Sequence, residues 1–191
     1  GSATGDILYN IERVLGSAFG DTIQGSTGAD TLMGQDGNDV LEGLAGADVL
    51  DGGNGTDTAS YEHATSAVAV SLATGTGTLG DANGDTLTSI ERLLGSDYDD
   101  TLAGGTGAET LDGGAGDDLL VGSAGADTLT GGAGFDTADY SGATGGVTVN
   151  LDGSSSSGDI AAGDRLTAIE SVIGSGFADS ITGTFSDDTL L

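Results

Sequence analysis

The chain has 191 residues, 38 of them glycine, no proline, cysteine or tryptophan, and 3 Lys+Arg against 31 Asp+Glu, for a net charge of −28. That balance excludes nucleic acid as a partner, which needs clustered Lys and Arg, and argues against docking on an anionic membrane. Without cysteine there is neither a disulfide framework nor a thiolate metal site, no run of about 18 apolar residues is present to span a bilayer, and acids in this number repel one another unless cations hold them in fixed places.

Residues 1–4 read as a tag or linker, without the charged-then-apolar pattern of a secretory leader. From residue 5 the chain repeats with a period of 79. Gly5-Asp6, Leu8 and Ile11-Glu12 return as Gly84-Asp85, Leu87 and Ile90-Glu91, and again as Gly163-Asp164, Leu166 and Ile169-Glu170. Arg13 maps to Arg92, Tyr61 to Tyr140, and Phe19 to Tyr98 and Phe177. The units run 5–83, 84–162 and, broken off, 163–191. They read as one continuous solenoid cut from a longer array.

A second period of nine lies inside each unit. In the first, Asp21, Asp30, Asp39, Asp48 and Asp57 are nine apart, each followed two residues later by Ile23, Leu32, Leu41, Leu50 or Ala59. Residues 58–90 interrupt the run with an alternating strand, Val68-Ala69-Val70-Ser71-Leu72, and a polar loop at 75–85. Glu91 then re-enters the nine-residue phase, as Glu12 does ahead of Asp21. The second unit carries Asp100, Glu109, Asp118, Asp127 and Asp136, with Leu102, Leu111, Leu120, Leu129 and Ala138. Residues 137–169 interrupt it with Val147-Thr148-Val149-Asn150-Leu151 and a polar loop at 153–164, before Glu170. The third unit keeps Asp179 with Ile181 and Asp188 with Leu190.

The full pattern is Gly-Gly-x-Gly-x-Asp-x-apolar-x, clearest in GGNGTD at 52–57, GGAGDD at 113–118 and GGAGFD at 131–136. Over nearly its whole length the chain resembles the haemolysin-type calcium-binding repeat of RTX proteins. The resemblance implies an all-β, right-handed parallel β-roll, a β-solenoid of calcium-binding nonapeptides holding several Ca²⁺ ions. In such a roll the six glycine-rich residues turn, using positive φ to present carbonyl oxygens, and the next three form a short strand with its middle residue inward. Two nonapeptides close one coil of 18 residues, so each Asp lies one layer from the Asp 18 residues away. Stacking at about 4.8 Å per coil gives a body about 50 Å long.

Carboxylate and carbonyl oxygens are hard ligands suited to Ca²⁺, which takes six to eight of them. In the family, each ion lies between turns of adjacent coils, one turn giving the carbonyls two and four residues before its Asp, the other those three and five before. Carried over, Ser26, Gly28 and Asp30 pair with Gly43, Ala45 and Asp48, and Gln35, Gly37 and Asp39 with Gly52, Asn54 and Asp57. In the second unit, Gly105, Gly107 and Glu109 pair with Gly122, Ala124 and Asp127, and Gly114, Gly116 and Asp118 with Gly131, Ala133 and Asp136. Asp21, Asp100, Asp179 and Asp188 are further ligands by the same rule. About four firm sites and a few weaker ones are expected from this pairing. Glu109, with its longer arm, weakens its site. Phe19, Tyr98 and Phe177 stand where the fourth-position Gly belongs, which weakens the Asp21–Asp39 and Asp100–Asp118 sites. Asp85 and Asp164 are either further ligands or loop-capping aspartates.

Other features have plainer readings. His63, the one His, is a solvent or packing residue, and no Ser-His-Asp set stands out. The acids recur too often to be a glycosidase pair. Asn54-Gly55-Thr56 matches a glycosylation acceptor but falls in a metal turn. Phe19, Tyr98 and Phe177 are expected to pack at the restart of each run. The outward threonines, broken by Val40, Val49 and Leu119, do not make a flat ice-binding face. The chain is therefore expected to be no enzyme. It reads as a secreted or cell-surface bacterial segment, exported unfolded by the type I route that the resemblance implies, that folds on calcium and stabilises a larger adhesin or surface-layer protein. The competing reading is an accessory or carbohydrate-binding module of a secreted enzyme. Modules like the R-modules of alginate epimerases, which bind polyanionic sugar, tend to carry basic residues, and the three Arg among 31 acids here argue against that role.

Overall fold

The computed structural model describes residues 11–184 and 188–191. Gly5-Asp6 and Leu8, and residues 1–4 read as a tag or linker, lie outside them. The strands are β1 (Arg13–Leu15), β2 (Thr22–Gln24), β3 (Thr31–Asp36), β4 (Val40–Glu42), β5 (Val49–Asn54), β6 (Thr58–Ser60), β7 (Ala69–Ser71), β8 (Thr76–Leu79), β9 (Thr86–Thr88), β10 (Arg92–Leu94), β11 (Thr101–Ala103), β12 (Thr110–Ala115), β13 (Leu119–Val121), β14 (Thr128–Ala133), β15 (Thr137–Asp139), β16 (Thr148–Asn150), β17 (Arg165–Thr167), β18 (Ser171–Ile173), β19 (Ser180–Thr182) and β20 (Thr189–Leu190). Two single 3-10 turns, η1 (Gly80–Ala82) and η2 (Asp159–Ala161), lie in the interrupting segments.

The chain forms a parallel β-roll. Strands of the first two runs fall alternately on two faces, an 11-stranded sheet ordered β1-β3-β5-β9-β8-β7-β11-β13-β15-β18-β20 and a 7-stranded sheet ordered β17-β14-β12-β10-β6-β4-β2, while β19 of the third run pairs with β16 in a separate 2-stranded sheet. Parallel neighbours within a run sit 18 residues apart, as in Leu32↔Leu50 and Leu111↔Leu129. The reason is the apolar residue at the centre of each strand. Leu32, Leu41, Leu50, Leu102, Leu111, Leu120 and Leu129 are fully buried and join one core between the faces. Residues on either side alternate outward, as strand geometry requires. At four strands pairing runs on into the turn, through Gly34-Gln35 in β3 and through Gly-Gly in β5, β12 and β14, so that each is 6 residues long.

The interrupting segments widen one face at a time. β7 leaps ahead to pair with β11, β8 returns antiparallel to it, and β9 drops back onto β5. The region 75–85, expected to be a polar loop, thus contains a strand. Its Thr-Gly-Thr-Leu alternation lets Gly77 face inward, where a Cβ would lie 2.7 Å from that of Ala82. The second segment follows the same path with a single bridge, Thr148↔Ser157, in place of a strand. The roll then resumes. β10 pairs with β6 through Arg92↔Thr58, and β18 with β15 through Ser171↔Thr137. A consequence is that the 79-residue repeat exchanges faces. β1 lies in the large sheet, its counterpart β10 in the smaller one, and β18 in the large sheet again.

Candidate metal centres

The acids of the nonapeptides line the two edges of the roll, where the glycine-rich turns stack. Six of the carboxylates reach to the coil before them. Asp39 Oδ1 accepts the Asp21 N–H at 2.8 Å, Asp48 that of Asp30 at 2.8 Å, and Asp57 that of Asp39 at 2.8 Å. In the second run Asp118, Asp127 and Asp136 accept from Asp100, Glu109 and Asp118 at 2.8, 2.9 and 2.9 Å. Glu91 and Glu170 carry the ladder across the interruptions, accepting the N–H of Asp57 and Asp136 through Oε2 at 2.9 Å each.

The second oxygen divides the turns into two kinds. The Oδ2 atoms of Asp39, Asp48, Asp57, Asp118, Asp127 and Asp136 are buried with no hydrogen-bond partner among the described residues. These are the turns whose fourth residue is a glycine at positive φ: Gly37, Gly46, Gly55, Gly116, Gly125 and Gly134. The other turns cap themselves. Asp21, Asp30, Asp100, Asp179 and Asp188 accept through Oδ2 the N–H four residues earlier, from Ser17, Ser26, Ser96, Ser175 and Thr184. Glu109 folds back onto the N–H groups of Gly107 (2.7 Å) and Gly105 (3.3 Å).

Around the bare oxygens, main-chain carbonyls converge. A Cβ on Gly34 would strike Asp39 Oδ2 and lie 2.6 Å from Gly52 O; one on Gly113 would strike Asp118 Oδ2 and lie 2.7 Å from Gly131 O. From the other side, the Gln35 and Gly37 carbonyls press on Gly53 and Gly55, and those of Gly114 and Gly116 on Gly132 and Gly134. Two sequence-derived sets, Gln35–Gly37–Asp39 with Gly52–Asp57 and Gly114–Gly116–Asp118 with Gly131–Asp136, are thereby brought together across adjacent coils. The Asn54 and Ala133 carbonyls also accept ladder bonds, from the Gly37 and Gly116 N–H at 2.9 Å each. In the Asp30–Asp48 pairing, Gly43 O stands beside Asp30 Oδ2, and Gly28 O lies 2.6 Å from where a Cβ on Gly46 would be. There Ser26 already engages the Asp30 oxygen. Across the Glu109–Asp127 rung, Gly107 O presses on Gly125, while Gly122 meets a tyrosine ring. Gly105 and Ala124 belong to the same two turns. Ser26 and Ala45 lie in the turns of Asp30 and Asp48.

Electrostatics make Asp48, Asp57, Asp118, Asp127 and Asp136 uncomfortable as anions. Burial pushes Asp48 up to about 6, against a partial offset from the Asp30 N–H, with the Asp85 and Asp30 charges adding to the rise. Burial likewise pushes Asp118 up to about 7. Asp57, Asp127 and Asp136 are raised first by burial too. Among the described residues no three His, Cys, Asp or Glu side chains converge as a metal group. A cation here would need carbonyls as well as carboxylates, which are the donors present. Oxygen-only sets of this kind fit a hard divalent ion such as Ca²⁺ and offer nothing to a soft one.

Several residues stand differently from their sequence reading. Phe19, Tyr98 and Phe177 do not pack. They are 76%, 46% and 58% exposed, because a fourth-position side chain points off the turn into solvent. His63 Nδ1 lies 2.9 Å from Glu42 Oε1, in a contact the sequence did not signal, and its charged form is favoured by that carboxylate. Asp85 and Asp164 have both oxygens engaged. Oδ1 accepts the N–H of Asp48 or Asp127 (2.8 and 2.9 Å), and Oδ2 the hydroxyl of Tyr61 or Tyr140 (3.0 and 2.9 Å). The 79-residue recurrence of Tyr61 with Tyr140 and of Asp85 with Asp164 was the sequence trace of this pair.

The family model of the RTX calcium-binding nonapeptide repeat, in four copies, matches residues 15–46, 24–59, 85–120, 103–138 and 168–191. No curated protein matches the chain.

Proposed function

The chain belongs to the family of RTX calcium-binding nonapeptide repeats, matched over more than half its length, and from that premise we propose that it is a calcium-triggered folding module of a larger secreted or cell-surface protein. At the coarser level it is a calcium-binding β-roll. The six buried Oδ2 atoms without a hydrogen-bond partner among the described residues carry the reading, since each asks for a positive charge that those residues do not provide. Burying a carboxylate without compensation is strongly unfavourable, and the three arginines, on β1, β10 and β17, stand on the strands and not at the turns. Asp39, Asp48, Asp57, Asp118, Asp127 and Asp136 would hold the ions, with the carbonyls of the turns facing them. The bound ions would supply the missing charge.

At low calcium the acids repel one another, and one aliphatic side chain per nonapeptide offsets little of the backbone ordering cost. At millimolar calcium, with extracellular-type affinities of about 10⁻⁴–10⁻³ M, each ion adds roughly 0.4–1.4 kcal/mol. Several ions together rival the stability of a small domain, about 5–15 kcal/mol. Unfolded passage through a secretion channel and folding outside follow from that dependence. A stabilising role in an adhesin or surface-layer type of protein is favoured over a polyanion-binding accessory module, because a net charge of −28 repels acidic sugars. Far-UV circular dichroism in EDTA and then in millimolar calcium tests the proposal. Above pH 7, where the buried aspartates are ionised, strand signal should appear only with calcium, and equal signal in both would defeat it.

A further inference from the structure

We propose that Tyr61 and Tyr140 each close one rung of the carboxylate ladder with a hydroxyl proton where the open turns would hold a cation, so that each inserted segment divides the roll into separate ion-holding blocks. The inference rests on the calcium reading above. At ordinary rungs the glycine five residues before the Asp faces a carbonyl of the next coil. Gly34 faces Gly52 O, Gly113 faces Gly131 O, and Gly52 and Gly131 face Ser89 O and Ala168 O. Gly122, five residues before Asp127, differs. The nearest atoms to a Cβ there would be the Tyr140 ring at 2.9 Å and Asp164 Oδ2 at 3.2 Å. An apolar ring thus fills space that elsewhere receives a ligand-type oxygen.

The far side of the rung is sealed as well. Tyr140 donates to Asp164 Oδ2 at 2.9 Å, and Tyr61 to Asp85 Oδ2 at 3.0 Å. The remaining Oδ1 of each is held by a backbone N–H of the coil before. Tyr61 and Tyr140 are 2% and 0% exposed, Asp85 and Asp164 1% and 0%, so water does not supply an alternative donor. The tyrosine–aspartate hydrogen bond recurs 79 residues apart, once on each edge of the roll, while the ring contact is made at Gly122; at Gly43 the nearest atoms to a Cβ would be those of Asp48. Tyr61 and Tyr140 are therefore positioning residues. They satisfy Asp85 and Asp164 without metal, so that an ion at Asp48 or Asp127 would be shared with the preceding coil only, and the rung to Asp85 or Asp164 is a calcium-independent seam.

Replacing both hydroxyls, Tyr61→Phe with Tyr140→Phe, strips a donor from two buried carboxylates. The calcium midpoint for folding, followed by circular dichroism, should rise roughly 1.5- to 2-fold, the penalty being shared over several linked ions. Native mass spectrometry should count as many ions as in the wild type. Adding Asp85→Asn and Asp164→Asn should return the midpoint towards the wild-type value, a recovery that a mere packing role would not show. If the double phenylalanine variant does not fold, the fourfold variant decides: folding near wild-type calcium supports the inference, and failure to fold overturns it. An unmoved midpoint, or a calcium ion between Asp48 and Asp85 in crystals grown with calcium, overturns it while leaving the calcium reading intact. A wild-type chain that takes up no calcium brings down both.

Discussion

Asp21 and Asp39 sit one coil apart on the same edge of the roll, and the difference between them lies two residues earlier. Gly37 adopts φ +133, a conformation side chains resist, and a Cβ there would collide with the Phe19 backbone. With the turn so shaped, Asp39 Oδ2 stays bare. Phe19, in the same place before Asp21, lets the turn close on itself through the Ser17 N–H. Serine four residues before the acid is not enough. Ser123 precedes Asp127, yet its hydroxyl donates to Gly104 O at 3.3 Å and Gly125 keeps φ +154. Asp118→Asn should then abolish uptake at its turn and cost about 0.4–1.4 kcal/mol for each ion lost at about millimolar calcium, whereas Asp21→Asn should leave the number of bound ions unchanged by calorimetry. Proton binding gives a second expectation. Burial places the metal-free folded pKa of Asp48 and Asp118 at about 6 and about 7, above the ordinary 3.8. Their stabilising protons are present at acid pH and lost as pH rises through that range. In EDTA, strand signal should be greatest near pH 4 and decline towards pH 7; a signal that grows with pH would contradict the burial argument. Much of this was legible in the sequence, since Phe19, Tyr98 and Phe177 already mark weak turns. Self-capping of Asp30 was not, because its turn has the expected Gly28 and only the folded backbone shows the Ser26 N–H turned towards the carboxylate.

Strands β2 to β6 and β11 to β15 follow directly from one apolar residue in nine, because each three-residue strand has a single inward position. Leu111, fully buried, is such a position. Leu111→Ala should cost about 2–5 kcal/mol, more than any one ion contributes, while Phe177→Ala, at an exposed site, should fall within about 0.5 kcal/mol of the wild type. Calcium-dependent thermal melts distinguish the two, and a large loss at Phe177 would restore the packing role that the sequence suggested. The interrupting segments were harder to read. Val68, Val70, Val147 and Val149 announce buried strands by alternation, and they are buried. β8 carries Thr-Gly-Thr with no apolar inward residue, so its antiparallel place between β7 and β9 depends on partners distant in sequence. The tyrosine–aspartate pairs are of the same kind: 24 residues separate each Tyr from its Asp.

Across the whole molecule, the exchange of faces every 79 residues places successive inserted segments on opposite sides of the roll. Two repeats, and not one, make the complete structural period. A body of net charge −28 built this way carries many of its anions in two edge ladders, so under the proposed function its stability should depend on ions held between coils and far less on the diffuse screening that monovalent salt provides. The most direct test is to count calcium ions on the purified chain by native mass spectrometry, alongside a variant with Asn in place of Asp39, Asp48, Asp57, Asp118, Asp127 and Asp136. The wild type should take up several ions in fixed number and the variant should lose them, with sodium chloride at matched ionic strength restoring nothing. A wild-type chain that folds fully while binding no calcium would contradict the account.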